Sequence, residues 1–388
     1  MIFRLFVLAS LVLFNESLAA QEEVRIVYLG IDGDTYYEPQ VSYTGLSLKD
    51  RLRPIDGARL GMKGTRVLGR ALGLSFELDE QILPPEESVL AAAQKAQKDG
   101  AVALLLDLPE TEMQEILSSD LEGLLLFNIR HRKNLWRGKE CVANLLHTLP
   151  SQSMLTDALA QHLRFQNWPK ILLLHGDTEA DVTEADAIVA SAQKFGLDVV
   201  AREEFQLTND PRRRDFSNIR LMTGKHDYDV IWIADENGEF GRYVPFATAK
   251  PRPIVGSEGL TANAWHWTLE RYGAPQLNQR FRRKSKRNMS SEDWASWAAV
   301  KAVLAAVTEA GSGNKEDILR AIRSPDLIVD LYKGLRGSFR SWNGQLRQPI
   351  LLASHNAVIS LAPFDGFEHQ RDQQDTLGVD EPETLCVL

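Results

Sequence analysis

Residues 101–128 read AVALLLDLPETEMQEILSSDLEGLLLFN, two apolar runs separated by a short amphipathic stretch. Ala101–Leu106 and Gly123–Asn128 are short, almost wholly apolar and bounded by Asp, Pro or Gly, which predicts buried strands. Thr111–Leu117 between them predicts a short helix. Strand, helix and strand so closely spaced form a βαβ unit. Strands without polar alternation belong to parallel sheets covered on both faces.

The same rhythm extends in both directions. Upstream, Val24–Ile31 (VRIVYLGI) and Leu74–Leu78 predict strands, and Ile55–Leu72 and Glu86–Lys98 predict helices. Downstream the pattern restarts with a helix at Met154–Phe165, a strand at Lys170–His175 and a helix at Glu179–Phe195 closed by Gly196. Leu197–Glu203, Asp229–Ala234 and Pro253–Gly256 follow as strands, with a helix at Asp215–Met222. Two consecutive sets predict an α/β fold of two doubly wound parallel-sheet lobes joined by hinge crossings. Ser291–Ala310 and Lys315–Ile322 predict further helices, and Asn343-Gly344 predicts a hairpin turn within Gly334–Ser360. The expected first lobe is 24–148 with 259–324; the second is 149–258 with 325–363, and an acidic tail occupies 364–388.

Arg4, the apolar run Leu5–Phe14 and the small residues of Ser17-Leu18-Ala19 predict a cleaved signal peptide over 1–20. That run is too short to span a hydrocarbon core, which needs roughly 20 apolar residues. No later stretch is long and apolar enough either, so stable membrane insertion is not expected. A net charge of −9 argues against nucleic-acid binding, which rests on phosphate neutralisation by Lys and Arg. The two cysteines, Cys141 and Cys386, are expected to form a disulfide after export, the alternative being two unpaired thiols.

Motif-borne chemistry is scarce. The turn after the first strand, Gly30-Ile31-Asp32-Gly33-Asp34, lacks dinucleotide-binding spacing, and Gly57, Gly61 and Gly64 suit close helix packing better than phosphate. No Walker loop, HExxH helix or GxSxG elbow occurs, so no catalytic residue, cofactor or enzymatic activity is assigned. Candidate ligand-binding residues are those on loops following apolar strands, where open α/β sheets place their ligands. In the first half they are Asp32, Asp34, Tyr36, Asp107, Asn128, Arg130 and His131; in the second, His175, Asp177, Asp235, Asn237 and Glu258. Asp32 and Asp34, with Asp107, Asp235, Glu236 and Glu258, leave a metal-ion receptor as an alternative, with no ligand set assigned. The basic run Arg280–Arg287 reads as a solvated face or a contact for an acidic partner. Trp265, Trp267, Trp294 and Trp297 read as core more readily than as a cleft lining.

The stretch Ala264–Phe281 (AWHWTLERYGAPQLNQRF) and the helix Asp293–Ala306 (DWASWAAVKAVLAA) resemble type I periplasmic binding proteins of the branched-chain amino acid class. More narrowly, Cys141–Pro150 (CVANLLHTLP), Arg340–Pro349 (RSWNGQLRQP) and the tail around Asp375-Thr376-Leu377-Gly378 and Pro382-Glu383-Thr384 resemble one branch. That branch comprises substrate-binding components associated with PQQ-dependent alcohol dehydrogenase systems. The resemblance implies a periplasmic, monomeric receptor that captures a small-molecule ligand between its lobes and serves the membrane components of an ABC transporter. It also implies the Cys141–Cys386 bridge. Amino-acid binders of this class use a Ser/Thr-rich loop, whereas the corresponding loop here, Asp107-Leu108-Pro109-Glu110, has no hydroxyl. A sensory or scaffolding protein signalling to a membrane partner is the remaining alternative.

Overall fold

A computed structural model of the chain describes residues 22–42, 45–207, 210–367 and 369–387. The expected signal segment lies outside them. Among the described residues no helix is long and apolar enough to cross a membrane.

Five parallel strands build the first sheet: β1 (Glu22–Ile31), β2 (Leu74–Leu83), β3 (Ala103–Asp107), β4 (Leu125–Asn128) and β5 (Leu145–His147), in the order β2-β1-β3-β4-β5. Alternate residues pack opposite faces. Val24, Ile26 and Tyr28 point into one core layer, Val27 and Leu29 into the other. Helices α1 (Ile55–Gly61) and α2 (Thr65–Leu72) lie before β2; α3 (Val89–Lys98) and α4 (Glu110–Leu117) flank β3. The single helix expected over Ile55–Leu72 is two, because Gly64 takes φ +96° and starts α2 afresh.

The second sheet joins β6 (Lys170–His175), β7 (Asp198–Glu204), β8 (Val230–Ala234) and β9 (Ile254–Gly256) in the parallel order β9-β8-β6-β7. Helices α5 (Gln152–Phe165) and α6 (Glu179–Lys194) are capped by Ser151 and Thr178, whose side chains accept from backbone N–H groups of the first turn. The helix expected at Asp215–Met222 is a 3-10 turn, Pro211–Ser217, running into α7 (Ile219–Gly224). The doubly wound, two-lobed α/β architecture is therefore present.

Strand β10 (Thr261–Asn263) begins the return to the first lobe, which gains α8 (Ala274–Ser285), α9 (Ser291–Ala310) and α10 (Lys315–Ile322). Helix α9 opens on a Ser290/Asp293 capping box and ends where Gly311 turns left-handed. Trp265, Trp294 and Trp297 are buried in the core. Leu327, Val329, Leu331 and Leu346 share that first core, although residues after 324 were expected in the second lobe. From Ile350 on the chain is shared between the lobes: Ile350, Leu352 and Ala362 pack with the second lobe, while Leu351, Val358 and Leu361 pack with the first.

Strands β11 (Ile350–Ser354) and β12 (Ala357–Ala362) form an antiparallel hairpin, with β10 pairing β11. The turn expected around Asn343-Gly344 is present: Phe339 and Leu346 pair antiparallel across it, Arg340 N donates to the Gln345 carbonyl and Arg347 N to that of Ser338. Gly344 turns left-handed there, and its carbonyl also accepts from His147 N, which fastens the turn to β5. Gln345 Nε2 donates to the carbonyls of His147 and Leu149, and Gln348 Nε2 to that of Thr148, binding two crossings together. The tail is held as well. Phe364 and Leu377 are buried, Asp375 accepts from Arg340 and Arg347, and Cys386 is bonded to Cys141 with Cα atoms 5.6 Å apart.

Gly57 and Gly61 let α1 lie against α9. A Cβ on Gly57 would sit 1.9 Å from the Asp293 carbonyl oxygen, and one on Gly61 2.8 Å from the Val300 side chain. Gly57→Ala is therefore expected to destabilise the protein by about 1–3 kcal/mol, read as a lower urea midpoint with unchanged slope.

Candidate functional site

The strand order reverses between β1 and β3 in the first sheet and between β6 and β8 in the second, so each lobe has a crevice at its strand C-termini. In the first lobe the crevice is filled by a buried charge network around Asp107, the last residue of β3. Tyr28 Oη donates to Asp107 Oδ2 (2.6 Å) and Tyr37 Oη donates to Oδ1. Arg53 Nη1 donates to Oδ2 at 3.3 Å, and Arg130 Nη1 lies 3.8 Å from Oδ1. Arg130 also donates to Asp34 Oδ2 (2.5 Å), in a pair whose side chains are 6% and 3% exposed. Burial pushes the Asp107 carboxyl up from its ordinary value, against the pull of the tyrosine hydroxyls and the two guanidinium groups. Burial and the neighbouring Asp107 raise Tyr37, which keeps it a phenol and a donor.

Asp34 caps the 3-10 turn Thr35–Tyr37 by accepting from Tyr36 N. That turn sets the Tyr36 ring under two guanidinium groups, Arg130 at 4.2 Å and Arg51 at 4.5 Å from the centroid. Asn128 holds the following turn. Its Oδ1 accepts from Arg130 N and His131 N, and its Nδ2 donates to His147 Nδ1. His131 Nε2 bonds the Leu108 carbonyl (2.8 Å), and burial lowers its pKa to about 4, with Arg130 acting in the same direction. His147 is wholly buried and is pushed well below the ordinary imidazole value for the same reason.

Second-lobe candidates mostly shape their own loops. Asp235 accepts from the N–H groups of Gly238, Phe240 and Gly241, and Ser257 Oγ accepts from Asp235 N. His175 Nδ1 bonds the Gly176 carbonyl, while Arg202 Nε donates to its Nε2. Asp32, Asp177 and Asn237 are exposed; Glu258 is half-buried and lines neither cavity of the cleft.

Between the lobes lies a cavity of about 400 Å³, with an adjoining space of about 220 Å³ towards the second lobe. Arg132, Glu236 and Asn263 line both. Arg51 Nη2 reaches across to Glu236 Oε1 at 2.5 Å, an ion pair joining the two lobes. Arg132 Nη2 donates to Glu292 Oε1 at 2.6 Å, while its Nε is enclosed and has no hydrogen-bond partner. Burial works against the charged form of Glu292, yet Arg132 beside it holds the carboxyl below its ordinary value. Tyr36 and Trp267 supply the aromatic wall. The cleft thus presents two cation–anion pairs beside an aromatic surface.

Of the expected site residues, Asp34, Tyr36, Asp107 and Arg130 come together as one network. Only Tyr36 among them lines the cavity. Arg51, Arg132 and Glu292 were not among the candidates. Arg132 was legible in principle, following Arg130-His131 on the loop after β4, and Glu292 sits in the first turn of the α9 capping box. Among the described residues no three His, Cys, Asp or Glu side chains are grouped to hold a metal ion, and Asp34 and Asp107 face arginines instead.

No protein-family model matches the sequence, and no curated protein matches it. Solved structures do. A branched-chain amino acid ABC transporter periplasmic ligand-binding protein from Burkholderia xenovorans superposes with a TM-score of 0.65 at 14% identity, over 87% of this chain and 94% of that one. An ABC transporter substrate-binding protein from Desulfitobacterium hafniense, in complex with Leu, gives 0.63 at 16% identity, over 88% and 100%. A solute-binding protein from R. palustris in complex with benzoate gives 0.61 at 12%, over 94% and 100%. The likeness is one of fold, shared by type I periplasmic binding proteins.

His131 and His147 make stability pH-dependent in a definite sense. Their folded pKa values lie below the unfolded value of about 6.5, so the unfolded chain takes up protons first. Their contribution is complete above about pH 6.5 and is lost as pH falls below it, for His131 down to about 4. The difference in melting temperature between wild type and His131→Gln is expected to change across that window and to be flat above it, as read by thermal melts in a buffer series.

Proposed function

We propose that this chain is the periplasmic solute-binding component of an ABC transport system, closing its lobes on a small ligand without transforming it. The observation that carries the reading is the Arg51–Glu236 ion pair, which spans a 400 Å³ cavity lined from both lobes. A receptor of this kind works because its ligand binds the closed arrangement better than the open one. Glu236 remains 45% exposed, so the pair is weak enough to form and break as the lobes move.

The cleft holds two ion pairs, Arg51 with Glu236 and Arg132 with Glu292, and Asp50 and Glu184 also line it, so its anions outnumber its cations. A further anion is disfavoured beside them, which leaves a neutral, zwitterionic or cationic ligand. Arg132 and Asn263 offer it polar contacts, and Tyr36 and Trp267 offer an apolar surface. The resemblance to components linked with quinoprotein alcohol oxidation points to a small or aromatic alcohol, or an oxidation product of one. A metal-ion receptor is disfavoured because the acids nearest the first-lobe crevice are held by arginines.

The test is a thermal-unfolding panel of amino acids, short and aromatic alcohols, and the corresponding aldehydes and acids. A ligand at 100 times its dissociation constant stabilises by about 2.7 kcal/mol, a shift of several degrees for a protein of this size. The active compound is expected to lose roughly two- to fivefold in affinity with Glu236→Ala, because the closed state loses its cross-cleft contact. Absence of any shift across the panel, or an affinity indifferent to Glu236→Ala and Arg132→Ala alike, would overturn the reading.

A further inference from the structure

Away from the cleft, two segments free of acidic residues lie side by side in a protein whose net charge is −9. Residues 57–73 carry Arg59, Lys63, Arg66 and Arg70 without an Asp or Glu. Residues 273–287 carry Arg280, Arg282, Arg283, Lys284, Lys286 and Arg287, again without one. Helix α1 packs against α8, and a groove of about 470 Å³ runs along this junction. Leu60, buried, and Met62, half-buried, give it an apolar floor; Lys63, Arg280, Arg283 and Lys284 are exposed along its rim.

The cations divide into two kinds. Arg59 is held by Asp56 and Glu80, and Arg287 by Asp293 and Asp56. None of the four rim residues makes an ion pair with any described residue. Part of this pattern has an internal explanation, since Arg283 and Lys284 lie in the last turn of α8, where cations favour the helix dipole. That account does not reach Lys63 on the opposite wall or Arg280 a turn earlier. Nor does it explain why like charges surround an apolar floor, where they repel one another in an otherwise acidic protein.

We propose that this groove binds an acidic segment of a partner protein, a run of Asp and Glu around one apolar side chain that seats on Leu60 and Met62. Guanidinium forks match carboxylates two bonds at a time, and two of the four rim cations are arginines. A bilayer face is flat and meets convex ground, whereas the apolar surface here lies at the bottom of a groove, which an extended peptide can enter. The site shares no residue with the cleft and does not depend on the cleft's ligand.

The test is fluorescence anisotropy of a labelled short peptide, one Leu flanked on both sides by Asp and Glu, titrated with the purified protein. Saturable binding is expected at low salt and should weaken by about tenfold or more at roughly 0.5 M salt. Lys63→Glu combined with Arg283→Glu should abolish it, while Glu236→Gln in the cleft should leave it unchanged. Exchanging the peptide's Leu for Gly should weaken binding severalfold. If the charge reversals lower the melting temperature, the milder pair Arg280→Ala and Lys284→Ala is expected to weaken binding in a protein that melts normally. The proposal is overturned if the peptide does not bind, if a neutral peptide of the same length binds equally well, or if the rim variants bind like wild type. It is overturned equally if vesicles containing phosphatidylglycerol bind through these residues and the peptide does not.

Discussion

The carboxylate of Asp107 is fully enclosed at the end of a parallel strand, and the first lobe's half of the cleft depends on how it is satisfied. An unaccompanied carboxylate in such a position costs several kcal/mol in lost solvation. Two tyrosine hydroxyls and two arginines therefore converge on it from β1, from the turn after β1, from the segment before α1 and from the loop after β4. Their convergence fixes three otherwise irregular stretches of chain. Arg130, brought in this way, is shared with Asp34 and lies over Tyr36, so the aromatic wall of the cavity is aligned from beneath. Removing any one partner leaves the others holding a buried charge, which is more damaging than the loss of a single hydrogen bond.

Two classes of ion pair then divide the work. Arg130–Asp34 and Arg340–Asp375 are shielded from water and act as fixed parts of their surroundings. Arg51–Glu236 faces the open cleft and is screened, so its formation adds little on its own. That difference fits the proposed receptor role: the pairs within each lobe are shielded, while the contact between lobes is weak enough for a ligand to decide.

The fold was legible because its strands are short, apolar and spaced by amphipathic helices. Runs such as AVALLL and KILLLH allow no other periodicity, and Ser291–Ala310 carries its cap and its terminal glycine in sequence. The turn at Asn343-Gly344 was legible too, and its bond to β5 is an addition that no local pattern records. Where the reading went astray the departure was in the backbone: Gly64 breaks a stretch with helical spacing by taking a left-handed conformation. The candidate site was legible only in its foundations. Asp107 at a strand end, and Asp34 and Arg130 on the loops after two others, meet because the sheet's topology brings those ends together. Arg51 and Glu236, 185 residues apart, meet only through the closing of one lobe on the other, and no local pattern records that.

The bond between Cys141 and Cys386 encloses 245 residues of sequence, including all of the second lobe and every described crossing between the lobes. Its two ends lie far apart in sequence but close in the fold, so the bridge ties the end of the tail to the first lobe across the whole of the second. Without it the last residues would lose their anchor, while buried Leu377 and the Asp375–Arg340 pair would still hold the tail before them.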